Sequence, residues 1–129
     1  MSLRFVPPAN LAPNAWEPLL SEEARLVARL WKGDPPDTTD VELAQRLLAR
    51  STGHSGCWYL ALPEQTNFQR YTRRSAPYVG DARDADGCLV QAVLVLDAQG
   101  SPTELEVVRL DGRAIQFRLG DLVFSLVQE

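Results

Sequence analysis

From residue 88 to residue 96 every position except Gln91 is apolar, and Val, Leu and Ala dominate. Such a run predicts a central strand with both faces at least partly covered, because turn sequences bound it on each side. Asp86-Gly87 stands before it and Asp97-Ala98-Gln99-Gly100 after it. Gly accepts a positive φ and Asp bonds to the local backbone. The four-residue D-x-x-G link suits a type I turn closed by a Gly bulge. Residues 103–110 then alternate, with Leu105, Val107 and Arg109 on one face and Glu104, Glu106, Val108 and Leu110 on the other. Asp111-Gly112 is a two-residue hairpin signal, and Ile115, Phe117 and Leu119 alternate after it. A third strand is therefore expected over residues 113–119, completing an antiparallel meander.

Upstream the period changes. Ser21 is an N-cap candidate with Glu22 and Glu23 in the first turn, where the helix dipole favours acids. Leu20, Ala24, Val27 and Trp31 form one stripe, widened by Leu30, and Gly33 followed by Asp34-Pro35-Pro36 ends the helix. A second helix is expected from Thr39 or Asp40 to about Arg50, with Val41, Ala44, Leu47 and Leu48 inward. Residues 51–56 read as a loop, 57–62 as a strand stopped by Pro63, and 68–73 as a further strand. Residues 74–85 are polar and contain Pro and Gly, which predicts an exposed connection or short edge strand. Leu122, Phe124 and Leu126 alternate around Val123 and Ser125, a last strand. Residues 1–18 form a Pro-rich arm whose Leu3, Phe5, Val6, Leu11 and Trp16 suit an extended segment packed on the domain, with 3–6 as an edge strand.

The series D-x-D-G, an apolar strand, D-x-x-G, then E-L-x-x-x-R-x-D-G resembles a family of small bacterial domains of unknown function. Members of that family typically open with a helix containing E-E, the place that Ser21-Glu22-Glu23 fills, and the resemblance runs over roughly residues 20 to 118. It brings no catalytic residues with it. What it implies is membership among small, acidic, single-domain bacterial proteins, many of which are immunity proteins that neutralise a toxin.

The chain has 129 residues, enough for one domain with a real core. Its 13 basic and 17 acidic residues give a net charge of −4. That balance argues against a nucleic-acid partner, which would call for a basic excess. No apolar run approaches the ~18–20 residues of a spanning helix, so no membrane association is expected. With two cysteines and no signal-like N-terminus, a cytoplasmic location is expected.

Three groups of residues carry candidate chemistry. His54 lies three residues before Cys57, the spacing of a conceivable nucleophile pair but without a signature around it. Asp81, Asp84 and Asp86 cluster before the central strand, where they serve turns or face a basic partner; an EF-hand is excluded because Val95 stands where its terminal acid belongs. Arg70, Arg73 and Arg74 interleave with Tyr71 and Tyr78, residue types enriched in protein interfaces. Phosphate-cradling Gly loops and the G-x-S-x-G elbow are absent.

The expectation is thus a two-layer α+β domain, with two N-terminal helices on a mainly antiparallel sheet of about five strands. Its expected function is non-enzymatic protein binding without cofactor or metal, most concretely immunity against a cognate toxin. Arg70, Tyr71, Arg73, Arg74, Tyr78, Asp81, Asp84 and Asp86 are the expected partner-binding residues. The alternative is a small-molecule or regulatory domain, dimeric through a sheet edge, and the third reading is a hydrolase using Cys57 and His54.

Overall fold

The structure is a computed structural model that describes residues 4–6, 16–53, 56–66 and 70–128, with the backbone alone for 4–6, 72 and 73. In chain order its elements are β1 (Arg4–Val6), β2 (Glu17–Pro18), α1 (Ser21–Lys32), α2 (Thr38–Gln45), β3 (Leu48–Ser51), β4 (Cys57–Ala61), β5 (Arg70–Arg83), β6 (Leu89–Asp97), β7 (Pro102–Arg109) and β8 (Ser125–Gln128). Single 3-10 turns occupy Pro63–Gln65 and Leu119–Asp121.

All the strands join one eight-stranded sheet, ordered β1-β5-β6-β7-β4-β3-β2, with β8 also on β5. Every pairing is antiparallel. The α+β class holds, and the sheet is larger than the five strands expected. Strand β5 explains most of the difference. It is 14 residues long, so the stretch 74–85, expected as an exposed connection or short edge strand, is part of one long strand almost throughout. One side of β5 pairs with β6; the other carries β1 at Arg70–Thr72 and β8 at Tyr78–Asp81. Bulges between Thr72 and Arg74 and between Ser75 and Val79 let polar and Pro residues sit in it without breaking it.

Strand β6 is central as expected, with Val90, Ala92, Leu94 and Leu96 fully inside and the alternate residues half-buried. Leu105 and Val107 of β7 face the same core. Helix α1 lies on this face over β5 and β6, and α2 packs against α1. Ala24, Val27, Ala28 and Leu30 are completely buried there, and burial of a side chain such as Leu30 contributes about 1.5–3 kcal/mol. Gly80 of β5 makes the close approach possible: a Cβ there would stand 3.0 Å from Phe124 and 3.5 Å from Leu30. The expected edge strand near the N-terminus is present as Arg4–Val6; the rest of the Pro-rich arm up to residue 15 lies outside the described residues.

Several local expectations are corrected. Leu20 is exposed, not part of the buried stripe; it occupies the N-cap position ahead of Ser21, and the Glu23 carboxylate accepts its amide at 2.7 Å. Helix α2 is capped by Asp37 and stops at Gln45, short of Arg50, because residues 48–51 pair with β4 as β3. Residues 113–119 form no strand. Their amides at Gln116 and Phe117 are taken by the Asp84 carboxylate, and β4 fills the place beside β7. The last strand begins at Ser125, later than expected, although Leu122 and Phe124 are buried and Val123 is exposed in the expected alternation. Among the described residues no helix is long and apolar enough to cross a membrane.

Candidate functional site

The two D-x-x-G sequences fold into the same backbone turn. Gly87 N–H donates to Asp84 O and Asp84 N–H to Cys88 O, both at 2.9 Å; Gly100 N–H donates to Asp97 O at 3.0 Å and Asp97 N–H to Ser101 O at 2.8 Å. Both glycines hold positive φ, 87° and 80°, which only Gly adopts without strain.

Arg109 ends β7 on the core-facing side, with its side chain 2% exposed. Each of its five N–H groups finds a carboxylate oxygen. Nη1 donates to Asp84 (2.9 Å) and Asp86 (3.2 Å), Nη2 to Asp86 (2.8 Å) and Asp111 (2.6 Å), and Nε to Asp111 (3.0 Å). Asp84 is fully buried and also accepts the amides of Ala85, Gln116 and Phe117 at 2.8–2.9 Å. Burial pushes its carboxyl up, but these three amides and the guanidinium outweigh burial and bring it down to about 2. The Arg109 guanidinium, joined by local amides, likewise holds Asp86 and Asp111 below the usual carboxylate range.

Arg70 opens β5 at the other end of the hairpin and is buried as well. Nε and Nη2 donate to one oxygen of Asp97 at 3.1 and 2.9 Å, Nη1 to Leu60 O at 2.7 Å and Nη2 to Pro102 O at 2.9 Å. The other Asp97 oxygen accepts the amides of Gln99 and Ser101. Burial lowers the pKa of Arg70, and Asp97 opposes that shift.

The eight expected partner-binding residues therefore do not form one patch. Arg70 and Asp84 are buried at opposite ends of β5, and Asp86 is half-exposed but ion-paired. Tyr78 stands against Gly33 at the end of α1, its hydroxyl 3.1 Å from where a Cβ would be. Tyr71 and Arg74 are exposed, and the Arg73 side chain lies outside the described residues. Asp81 faces the outer side of the sheet, with only a 3.5 Å contact from Gln91. His54 lies outside the described residues, so the conceivable pair with Cys57 does too; neither cysteine is in a disulfide among the described residues. Among the described residues no group of His, Cys, Asp and Glu is arranged to hold a metal ion.

What the sequence reading missed is the surface beside β8. A groove of about 600 Å³ runs between Leu89, Phe117 and Val123, with Asp81, Asp121 and Ser125 along it. Val123 is 83% exposed and Val127 51%. A second concavity of about 600 Å³, between α1 and α2, is lined largely by polar groups such as Arg25 and Glu42, and its Arg29 is already bonded to Asp34 and Phe124 O. The signal for the β8 surface was a C-terminal apolar strand free of charge and of Pro. For Arg109 it was an arginine on the same parity as Leu105 and Val107, close in sequence to acid-rich turns.

Comparisons with protein-family models, with curated proteins and with solved structures give no match to this chain.

Proposed function

We propose that the protein is a non-catalytic module that binds another protein, and that it is a bacterial immunity protein blocking a cognate toxin by occlusion. The observation that carries this reading is the exposure of Val123, Val127 and Phe117 on or beside β8, which among the described residues pairs only with β5. A domain of this size normally leaves such residues scattered, and their grouping beside an edge marks a contact surface. The buried charges support the same reading from the other side. Arg70, Asp84, Asp97 and Arg109 are held by one another and by backbone groups, which suits scaffold residues that keep a surface rigid. Of the expected partner-binding residues, Asp81 lines this surface, while Tyr71 and Arg74 are exposed nearer the start of β5.

The test is to express the tagged protein in its own host and identify what co-purifies, with salt titrated on the complex. The expected outcome is a stoichiometric protein encoded beside this gene, toxic alone and harmless when this chain is present. A protein that purifies alone, and relieves no toxicity of its neighbours, overturns the reading.

A further inference from the structure

We propose that β8 is a strand-addition site, and that its occupant is an extended segment of a partner protein in which aliphatic side chains alternate with basic ones. The inference rests on the protein-binding reading and names the chemistry of the partner at that surface. Strand β8 pairs with β5 through Ser125, Leu126, Val127 and Gln128 in unbroken register. Among the described residues no strand pairs with its other side, so a row of backbone donors and acceptors faces outward.

Among the described residues the sheet ends on β1, β8 and β2, and these differ in how their edges are guarded. β1 carries Arg4, and β2 consists of Glu17 and Pro18. Charge and Pro are the usual defences of an edge against pairing. β8 has neither, and its register holds no bulge. Val127 projects on the outer side in the row of Val79 and Val93, giving an added strand an aliphatic neighbour.

Charge selects the occupant. Asp84, Asp86, Asp97 and Asp111 are all committed to arginines. Asp121 makes no side-chain bond among the described residues, and Asp81 has only the 3.5 Å contact from Gln91. Both line the groove next to β8, where Arg83 also stands, one of its N–H groups donating to Gly87 O. Two carboxylates against one arginine leave this partly apolar groove net negative, which suits a Lys or Arg on the added strand. A second copy of this chain fits less well. It would bring the same two acids and a net charge of −4 against themselves, over a strand of four residues.

The probe is a pair of cyclised β-hairpin peptides whose outer strands read Thr-Val-Lys-Val-Thr and Thr-Val-Glu-Val-Thr. Binding is read by titration, and the site by amide exchange over residues 125–128. The lysine peptide is expected to protect these amides and the glutamate peptide to bind more weakly. The double variant Asp81→Asn/Asp121→Asn should weaken the lysine peptide about tenfold, an effect lost at high salt. Val123→Ser, at a fully solvated position, should weaken both peptides without altering the circular dichroism spectrum. Equal binding of the two peptides, protection elsewhere, or no protection of 125–128 at saturation overturns the proposal. So does a concentration-dependent dimer that protects 125–128 by itself, since a second copy would then be the occupant. A host partner that binds the Asp81/Asp121 and Val123 variants unchanged would leave protein binding standing while strand addition falls. Strand addition by the lysine peptide with no host partner recovered would have the opposite meaning.

Discussion

The two ends of the β6–β7 hairpin use the same turn and the same pair of residue types, yet they are built differently. At the turn of residues 97–100, one buried arginine meets one carboxylate, and Arg70 sends its remaining N–H groups to the carbonyls of Leu60 and Pro102. Charge is balanced there, and the arginine acts as a strut between β4, β5 and β7. At the other end one arginine, Arg109, faces three carboxylates, and the surplus negative charge is met by backbone amides. Asp84 draws Gln116 and Phe117 down onto the sheet, and so fixes the segment that leads to the groove and to β8. The first end holds the sheet together; the second positions the proposed binding surface.

That difference can be broken in order of effect. Arg109→Met should be the most damaging substitution. It leaves three acids together with Asp84 buried, and the protein should lose its fold at neutral pH or melt well below the Arg70 variant in thermal unfolding. Its stability should rise as pH falls toward 4, because protonation relieves the repulsion; a variant as stable as Arg70→Met would mean that the amides alone carry the site.

Arg70→Met should cost about 3–5 kcal/mol in urea unfolding, the range for removing one partner of a buried pair. Adding Asp97→Asn, which keeps an acceptor for the turn amides but removes the unpaired charge, should restore part of that loss. Full additivity of the two changes would contradict the pairing.

Acid should weaken the Arg109 end. The folded-state pKa of Asp84 is depressed to about 2, below its value in the unfolded chain. Its contribution is therefore complete above the unfolded-state value near 4 and is lost as pH falls through about 2, with Asp86 and Asp111 adding in the same direction. Stability measured from pH 5 to 2 should drop, and the drop should be shallower in Asp84→Asn.

The smallest effect should also be the most even. Gly87→Ala and Gly100→Ala meet no crowding but force φ of 87° and 80° on an L-residue, so each should cost about 1–2 kcal/mol. A marked inequality would mean that the side-chain networks, and not the shared backbone, set the strength of the turns.

Much of the hairpin was legible because its signals are local. Asp97 and Gly100 sit at fixed places in a four-residue turn, and the alternation of Leu105, Val107 and Arg109 set the face of β7 before any contact was known. The segment 113–119 misled for a physical reason. Ile115 and Phe117 alternate as strand residues do, but a strand needs a partner for its amides, and the buried Asp84 carboxylate took two of them. β5 misled in the opposite sense: the Pro and Gly of its second half read as a connection or short edge strand, while neighbours on both sides and two bulges hold it as one long strand. The expected site was read from residue types alone, and type does not distinguish Arg70, inside the sheet, from Arg74 on its surface.

The chain by itself determined the helices near its start, the D-x-x-G turns, the central strand and the α+β class, since propensity, capping and period act over a few residues. Tertiary structure decided which acids Arg109 would gather, that β4 and not residues 113–119 would flank β7, and that β8 would lie on β5 near Asp81 and Asp121. Those are contacts between residues tens of positions apart, where burial and charge pairing are settled only once the sheet has closed.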